Sequence, residues 1–391
     1  MPSFDVVIVG AGAAGLMCAM TAGGRGRRVL LLERGPEPGA KILISGGGRC
    51  NFTNLHTAAD RFLSDNPHFC KSALSRYSQH DFIALIEKHR IAYHEKTLGQ
   101  LFCDGSARQI VAMLLDECAA AGVVLQRSQR IASIDKSDGF RIATDGGTFD
   151  APALVLASGG LSIPKMGASG FAHDLARRFG LGIVEPRPGL VPLTAGKDDL
   201  ALIQPLAGLS FDAIVAHRRT AFHEKVLLTH RGLSGPAILQ ISSYWQNGES
   251  IGIDMLPNHD AALLLRERRR SRPKAEPQTV LAEFLPARLA RALTERLLPN
   301  QPIGSLSDTQ IDKAAAALKT WTFMLAGSEG YAKAEVTVGG VDTADLSSRT
   351  MEARKVPGLY VIGEAVDVTG WLGGYNFQWA WSSGWCAGMA V

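Results

Sequence analysis

The sequence predicts an α/β fold in which a parallel, helix-covered sheet is interrupted by an inserted second domain. Three observations predict it. Residues 4–9 (Phe-Asp-Val-Val-Ile-Val) are a β-branched, apolar run of strand length, the pattern of a strand buried on both faces. A glycine turn, a small-residue helix to about Gly23 and a second apolar run at 28–32 follow; strand, helix and strand in that order imply a parallel pair with a right-handed crossover. From about Pro186 the texture changes, with Pro186, Pro188 and Pro192 crowded together, and strand-turn-helix character returns only at Glu335. The first domain is therefore expected at 1–190 and 335–391. The insert is expected at 191–334, β-rich over 191–256 and helical over 257–334.

The remaining elements follow from local signals. Ser106-Ala-Arg-Gln109 is a capping-box pattern before an apolar-periodic helix that stops near Gly122. Strand-like pieces at 123–125, 131–134 and 140–144, split by Gly and Asp turns, lead to a buried strand at 154–157. In the insert, 213–217 and 225–229 are strand-like, and Ser307-Asp-Thr-Gln310 opens another helix.

Composition narrows the function classes. The net charge of +4 excludes a chain that binds polyanions over its whole surface. The charge is uneven, since residues 261–300 hold nine Lys/Arg against four Glu. None of the six cysteines forms a CxxC pair or a zinc-like spacing, so no metal site and a reduced, cytoplasmic setting are expected. The apolar run at 4–24 lacks a basic leader and is broken by glycines, and no membrane helix is expected.

Gly10-Ala-Gly12-Ala13-Ala14-Gly15 is a GxGxxG between the first strand and the first helix. Gly10 permits the tight turn, Gly12 lets backbone approach a pyrophosphate, and Gly15 lets the helix pack close to the strand. The helix N-terminus offers free N–H groups to phosphate. Glu33 ends the second strand, 18 residues after Gly15, placed for an adenosine ribose; an acid there disfavours a 2′-phosphate. This is a Rossmann-like dinucleotide site, with Arg34 beside it.

Two distant segments point to FAD rather than NAD. Residues 154–160 end a buried strand in Ser158-Gly159-Gly160, suited to lie under a nucleotide. Residues 358–364 end a strand in Gly363-Glu364, which brings an acid to the ribityl chain in two-dinucleotide-domain flavoproteins. Beyond it, Gly373-Gly374 opens a helix starting near Asn376 and Phe377. A helix N-terminus facing the flavin N1–C2=O edge stabilises the reduced, anionic ring. A Trp-rich core helix would explain Trp379, Trp381 and Trp385 but not the glycine pair. No second GxGxxG is visible, so NAD(P)H is expected only as a transient reductant.

These residues, together with Ser45-Gly46-Gly47-Gly48-Arg49-Cys50-Asn51-Phe-Thr-Asn54, Thr229-His-Arg-Gly-Leu-Ser-Gly-Pro236 and Val336-Thr-Val-Gly-Gly-Val341, resemble the BaiN-like flavoproteins, also called aminoacetone-oxidase-like. The resemblance covers nearly the whole chain. It implies FAD, a two-dinucleotide-domain-like fold, and an inserted domain that is β-rich and helical. Members of that family are linked to reduction of conjugated C=C bonds in steroid-like substrates, to amine oxidation, and to dihydrouridine formation in ribosomal RNA. The chain departs from it at Leu101-Phe102-Cys103-Asp104, where relatives often read Phe-Pro, and in a short insert.

Lys41, Ser45 and the glycines 46–48 are assigned to the cofactor site. Arg49 is a candidate partner for phosphate or for charge developing on the flavin, and a structural ion pair is its bland alternative. Asn51 is a candidate for positioning backbone or the flavin edge. Cys50 has no resolving cysteine nearby in sequence, which favours a small buried thiol over redox chemistry. His230 is a candidate proton donor or a loop-ordering residue. Tyr375 and Trp371 are candidates to line a substrate cavity or simply to pack. Five Arg and one Lys lie between Arg266 and Lys274; a solvated loop is the default, and contact with RNA phosphate is the sharper reading. The expected function is a flavin reductase that delivers hydride to an activated C=C bond. The alternatives are an amine oxidase using O₂ and an enzyme that forms dihydrouridine in ribosomal RNA. The substrate class, small molecule or RNA, stays open, as does oligomeric state.

Overall fold

The computed structural model describes residues 4–391, and they form two compact units. The first runs through Arg187 and resumes at Val336–Val391; the second is Pro188–Glu335.

The first unit is built on five parallel strands. They are β1 (Val6–Val9), β2 (Val29–Leu32), β3 (Val124–Gln126), β4 (Ala153–Leu156) and β5 (Leu359–Val361), in the spatial order β5-β4-β1-β2-β3. Every residue of β1, β2, β4 and β5 is buried, which explains their apolar, non-alternating sequences. The edge strand β3 is more exposed and less apolar. Chain direction from β1 leads to β2 on one side and β4 on the other, so the crevice at their carboxyl ends is the topological switch point where nucleotides bind in such sheets.

Helix α1 (Ala13–Gly24) follows β1, the short α2 (Ala40–Ile44) follows β2, and α3 (Ala107–Ala120) precedes β3. The Ser106 capping box expected from sequence is present with Gln109. The 131–134 and 140–144 pieces join Gly147–Ala151 in an antiparallel three-stranded sheet. Asn51–Asn54 and Gln100–Cys103 pair in another.

The second unit centres on a closed six-stranded antiparallel barrel: Leu193–Ala195, Gly232–Ser234, Thr220–Leu228, Ser210–His217, Ser250–Asp254 and Trp321–Ser328. It closes because Leu193–Ala195 pairs with both Gly232–Ser234 and Trp321–Ser328. Helix α4 (Ala261–Ser271) and helix α5 (Asp308–Lys319) lie between its last two strands in sequence. The solvated loop expected at 266–274 is mostly helix instead, because residues 266–271 belong to α4. Asp260 caps α4 by accepting the Leu263 N–H, and Leu264 and Leu265 are buried. Four of the five arginines of this segment are also ion-paired: Arg266 with Asp308 and Asp312, Arg269 with Asp308, and Arg268 and Arg272 with Glu283.

Helix α6 (Tyr375–Gly388) closes the first unit. Trp381 is fully buried, stacks on Phe82 at 4.3 Å between ring centroids, and donates its indole N–H to the Phe52 carbonyl at 2.8 Å. Trp381→Ala should lower unfolding free energy by about 3–5 kcal/mol, read as a shift in the denaturant midpoint.

Candidate functional site

The fingerprint loop separates glycines required by the chain from one that is not. A Cβ on Gly15 would overlap the Gly10 carbonyl oxygen, and one on Gly10 would sit 2.5 Å from the Ala157 oxygen. Both are fixed by close packing. Gly12 has φ −82°, which any residue adopts, and a Cβ there meets nothing within 4 Å. No contact within the chain demands glycine at 12, so its missing side chain leaves room for something from outside. That room lies at the N-terminus of α1, where Ala13 and Ala14 begin the helix and its first N–H groups are free for an anion.

Glu33 braces this loop. Oε2 accepts the Ala11 N–H at 2.7 Å and Oε1 accepts the Gly35 N–H at 2.6 Å. A carboxylate offers about four acceptor sites, which leaves capacity for ribose hydroxyls. Neighbouring Arg34 is exposed.

Beyond β4 come Ser158, Gly159 and Gly160. The Ser158 hydroxyl is buried and has no hydrogen-bond partner among the described residues, an orphan of the kind a bound ligand satisfies. Gly363 and Glu364 end β5 beside them. A Cβ on Gly363 would stand 2.9 Å from the Ala14 Cβ. Glu364 accepts from Lys41 Nζ at 2.5 Å, from Ser162 Oγ at 2.7 Å and from the Thr337 N–H at 2.9 Å. Burial opposes its ionisation, but the Lys41 ammonium and the hydroxyl and amide donors outweigh burial and hold the carboxyl below its ordinary range. Ser162 and Thr337 were not singled out as site residues; the quoted Val336-Thr-Val-Gly-Gly-Val341 motif was the signal.

In the 45–54 segment the Ser45 hydroxyl donates to the Ile42 carbonyl, and Gly46, Gly47 and Gly48 all have left-handed φ. A Cβ on Gly47 would meet nothing within 4 Å. Arg49 is exposed and makes no ion pair with a described residue. Cys50 is buried, and burial pushes its thiol well above the ordinary range; it is a protonated packing thiol.

The two asparagines clasp the glycine pair ahead of α6. Asn54 Nδ2 donates to the Gly373 carbonyl at 2.8 Å. With its amide turned so that the oxygen faces the Gly374 N–H, the orientation its neighbours demand, Asn51 accepts that N–H and donates to the Thr53 and Leu101 carbonyls, each at 3.2 Å. Gly374 has φ +95°, and a Cβ there would overlap the Thr53 carbonyl, so only glycine allows this seat. Asn376 spends its amide inside the chain, accepting the Gly370 N–H and donating to the Gly370 carbonyl, both at 2.8 Å. Its side chain is thus a brace, and only its backbone can serve a ligand. Phe377 stacks on Trp381. Tyr375 is buried, edge-on to Phe62 and Trp371, so it packs. The N-terminus of α6 carries no acid in its first turn and presents positive dipole at the pair.

His230 belongs to the second unit, exposed in the turn after Thr220–Leu228. That turn is ordered by Thr229, whose Oγ1 accepts the Gly232 and Arg231 N–H groups. The first unit therefore brings together the 10–15, 33–51, 158–160, 363–364 and 373–377 residues, and His230 is not among them.

A family profile described as "HI0933-like protein Rossmann domain" matches residues 4–390. The chain belongs to this family. The "Ribosomal RNA dihydrouridine synthase" of Escherichia coli (strain K12) is 53% identical, covering 99% of this chain and 98% of that protein. The "3-dehydro-bile acid delta(4,6)-reductase" of Clostridium scindens is 30% identical, covering 98% of each. Among solved structures, a 3-ketosteroid-delta4-(5alpha)-dehydrogenase from Rhodococcus jostii RHA1 matches the fold with a TM-score of 0.51 at 15% identity, over 99% of this chain and 97% of that one. As an HI0933-like protein the chain is an FAD-dependent oxidoreductase, and the open side of Gly12 and the orphaned Ser158 hydroxyl fit that cofactor. No helix among the described residues is long and apolar enough to cross a membrane.

A Cβ at position 12 meets nothing within 4 Å in the chain, so the purified Gly12→Val protein should fold yet lack the visible flavin absorbance. Gly15→Val should fail to fold. A yellow Gly12→Val protein with stoichiometric flavin would show that the loop does not hold the pyrophosphate.

Proposed function

We propose that this protein reduces the C5=C6 double bond of uridine in ribosomal RNA to give dihydrouridine, with NAD(P)H as the reductant. The observation that carries this reading is 53% identity, over essentially full length, to a protein bearing that name. The more distant relative named as a delta(4,6)-reductase adds support at the level of reaction type. In both substrates a C=C bond is conjugated to a carbonyl, so hydride goes to the β carbon and a proton to the α carbon. For uracil these are C6 and C5. Bound FAD supplies acceptance of hydride from NAD(P)H and its donation to the base.

The residues then divide the work. Gly12, Ala13 and Ala14 take the pyrophosphate at the α1 N-terminus, and Glu33 takes the adenosine ribose. Ser158, Gly159, Gly160 and Glu364 lie along the ribityl chain. The N-terminus of α6, held by Asn51 and Asn54 through Gly373 and Gly374, would hold the pyrimidine end of the flavin and would favour negative charge there. Arg49, which makes no ion pair among the described residues, is a cation for phosphate or flavin charge.

RNA contact by the basic segment narrows to two residues. Of the six cations between Arg266 and Lys274, Arg270 and Lys274 make no ion pair with a described residue. Arg270→Ala with Lys274→Ala should weaken ribosomal RNA binding and lower the slope of log K against log salt by about 2, with flavin content unchanged. An unaltered slope assigns the contact elsewhere.

The direct test uses ribosomal RNA from a strain lacking the gene, incubated with purified protein and NADPH. Mass spectrometry of the digested RNA should find a uridine that has gained two hydrogens. RNA left unmodified while NADPH reduces the flavin would refute the substrate.

A further inference from the structure

Lys41 lies in the five-residue α2, and its ammonium has three donors. One goes to Glu364 Oε2 at 2.5 Å and another to Ser162 Oγ at 2.6 Å. The single hydroxyl proton of Ser162 then goes to Glu364 Oε1 at 2.7 Å, closing a triangle. The Thr337 N–H gives Oε1 a second donor at 2.9 Å. Thr337 Oγ1 accepts the Leu161 and Ser162 N–H groups at 2.8 and 3.2 Å, which fixes the Ser162 backbone. The outcome is asymmetric. Among the described residues, Oε1 accepts from the Ser162 hydroxyl and the Thr337 N–H, whereas Oε2 accepts from Lys41 alone. Oε2 is also the oxygen on the Gly159 side, 3.9 Å from where a Cβ on that residue would be. The Glu364 side chain retains 20% exposure.

We propose that Lys41 is a positioning residue: it does not hold FAD itself but keeps Glu364 an oriented carboxylate whose Oε2 accepts a cofactor hydroxyl, so that FAD affinity is flat in pH around neutrality. This rests on the assignment of Glu364 to the cofactor. The groups facing Glu364 are few. Ser162 and Thr337 are uncharged. His173, on the helix Phe171–Arg178, is buried, and burial pushes its pKa down, which disfavours its charged form. Lys41 is the cation paired with the carboxylate. Without it, burial favours the protonated acid, and a protonated carboxyl has less accepting capacity. The sign follows: in a Lys41→Met protein, affinity falls as pH falls and recovers as pH rises.

The test is FAD titration of the apoprotein by flavin fluorescence from about pH 6 to pH 8. Wild type should show a flat Kd. Lys41→Met should bind about ten- to a hundredfold more weakly at neutral pH and regain affinity as pH rises. Lys41→Arg should restore a flat profile. Glu364→Gln should be weak at every pH, and adding Lys41→Met to it should cost nothing further. Thermal unfolding of each apoprotein checks folding. If Lys41→Met does not fold, Ser162→Ala carries the test, with weaker binding that recovers at higher pH expected and an unchanged Kd overturning the proposal. A wild-type Kd in Lys41→Met overturns it. So does a pH-independent loss that adds to that of Glu364→Gln, since Lys41 would then touch FAD directly. Unchanged binding by Glu364→Gln would instead sink the assignment of Glu364 on which the proposal rests.

Discussion

The close crossing of α6 over α1 is the constraint on which the rest of the first unit depends. A Cβ on Gly384 would stand 2.5 Å from the Ala14 carbonyl oxygen, and one on Gly388 would stand 2.8 Å from that of Cys18. Two helices meet backbone to backbone only where side chains are absent. The contact at Gly384 lies against the first turn of α1, and the N-terminus of α6 is held separately, by the Asn54 amide on the Gly373 carbonyl. The end of α1 at Gly12 and the end of α6 at Gly374 are the two places where free N–H groups and positive dipole are offered to a ligand. A flavin dinucleotide has negative charge at its pyrophosphate and, when reduced, at its pyrimidine ring. Two helix ends of the first unit thus offer the kind of partner that the two anionic parts of such a cofactor require.

Around this crossing the polar side chains mostly hold backbone. Glu33 ties down Ala11 and Gly35, Asn54 ties down Gly373, and Asn376 ties down Gly370. Trp379 donates to the Gly363 carbonyl and Trp381 to that of Phe52. These tryptophans, on opposite sides of α6, are thus both core and anchor: burial of the rings stabilises the helix, and their N–H groups register it against the 51–54 strand and the 363–364 turn. This is why a glycine pair and a Trp-rich helix occur side by side. One feature leaves backbone uncovered by side chains, and the other keeps that backbone in place.

In the second unit the governing physics is different. The barrel has no free edge, because its first strand bonds to both neighbours, and a closed sheet removes the unpaired backbone groups that an open one exposes. The helices α4 and α5 are laced by ion pairs between arginines and Asp308 and Asp312. Such exposed pairs contribute little individually. Their larger effect is on charge: a segment with six cations in sequence offers far fewer to a polyanion.

The sequence by itself determined the dinucleotide-binding unit. Strand, glycine turn, helix and terminal acid are local patterns, and local patterns carry their own stereochemistry. The capping boxes at Ser106 and Ser307 were legible for the same reason. Roles that depend on distant partners were not. Lys41 and Glu364 are 323 residues apart, and nothing near either one shows that they pair through Ser162. Asn376 next to a glycine pair looks like a ligand residue until the fold turns its amide back onto Gly370. The arginines from 266 to 272 look like a solvated basic loop until α5 and Glu283 meet them. Barrel closure likewise joins residues 193–195 to 321–328, a pairing that no local period encodes. Only tertiary structure decided these, because hydrogen bonds and ion pairs are satisfied in space, and separation along the chain says little about which polar groups will meet.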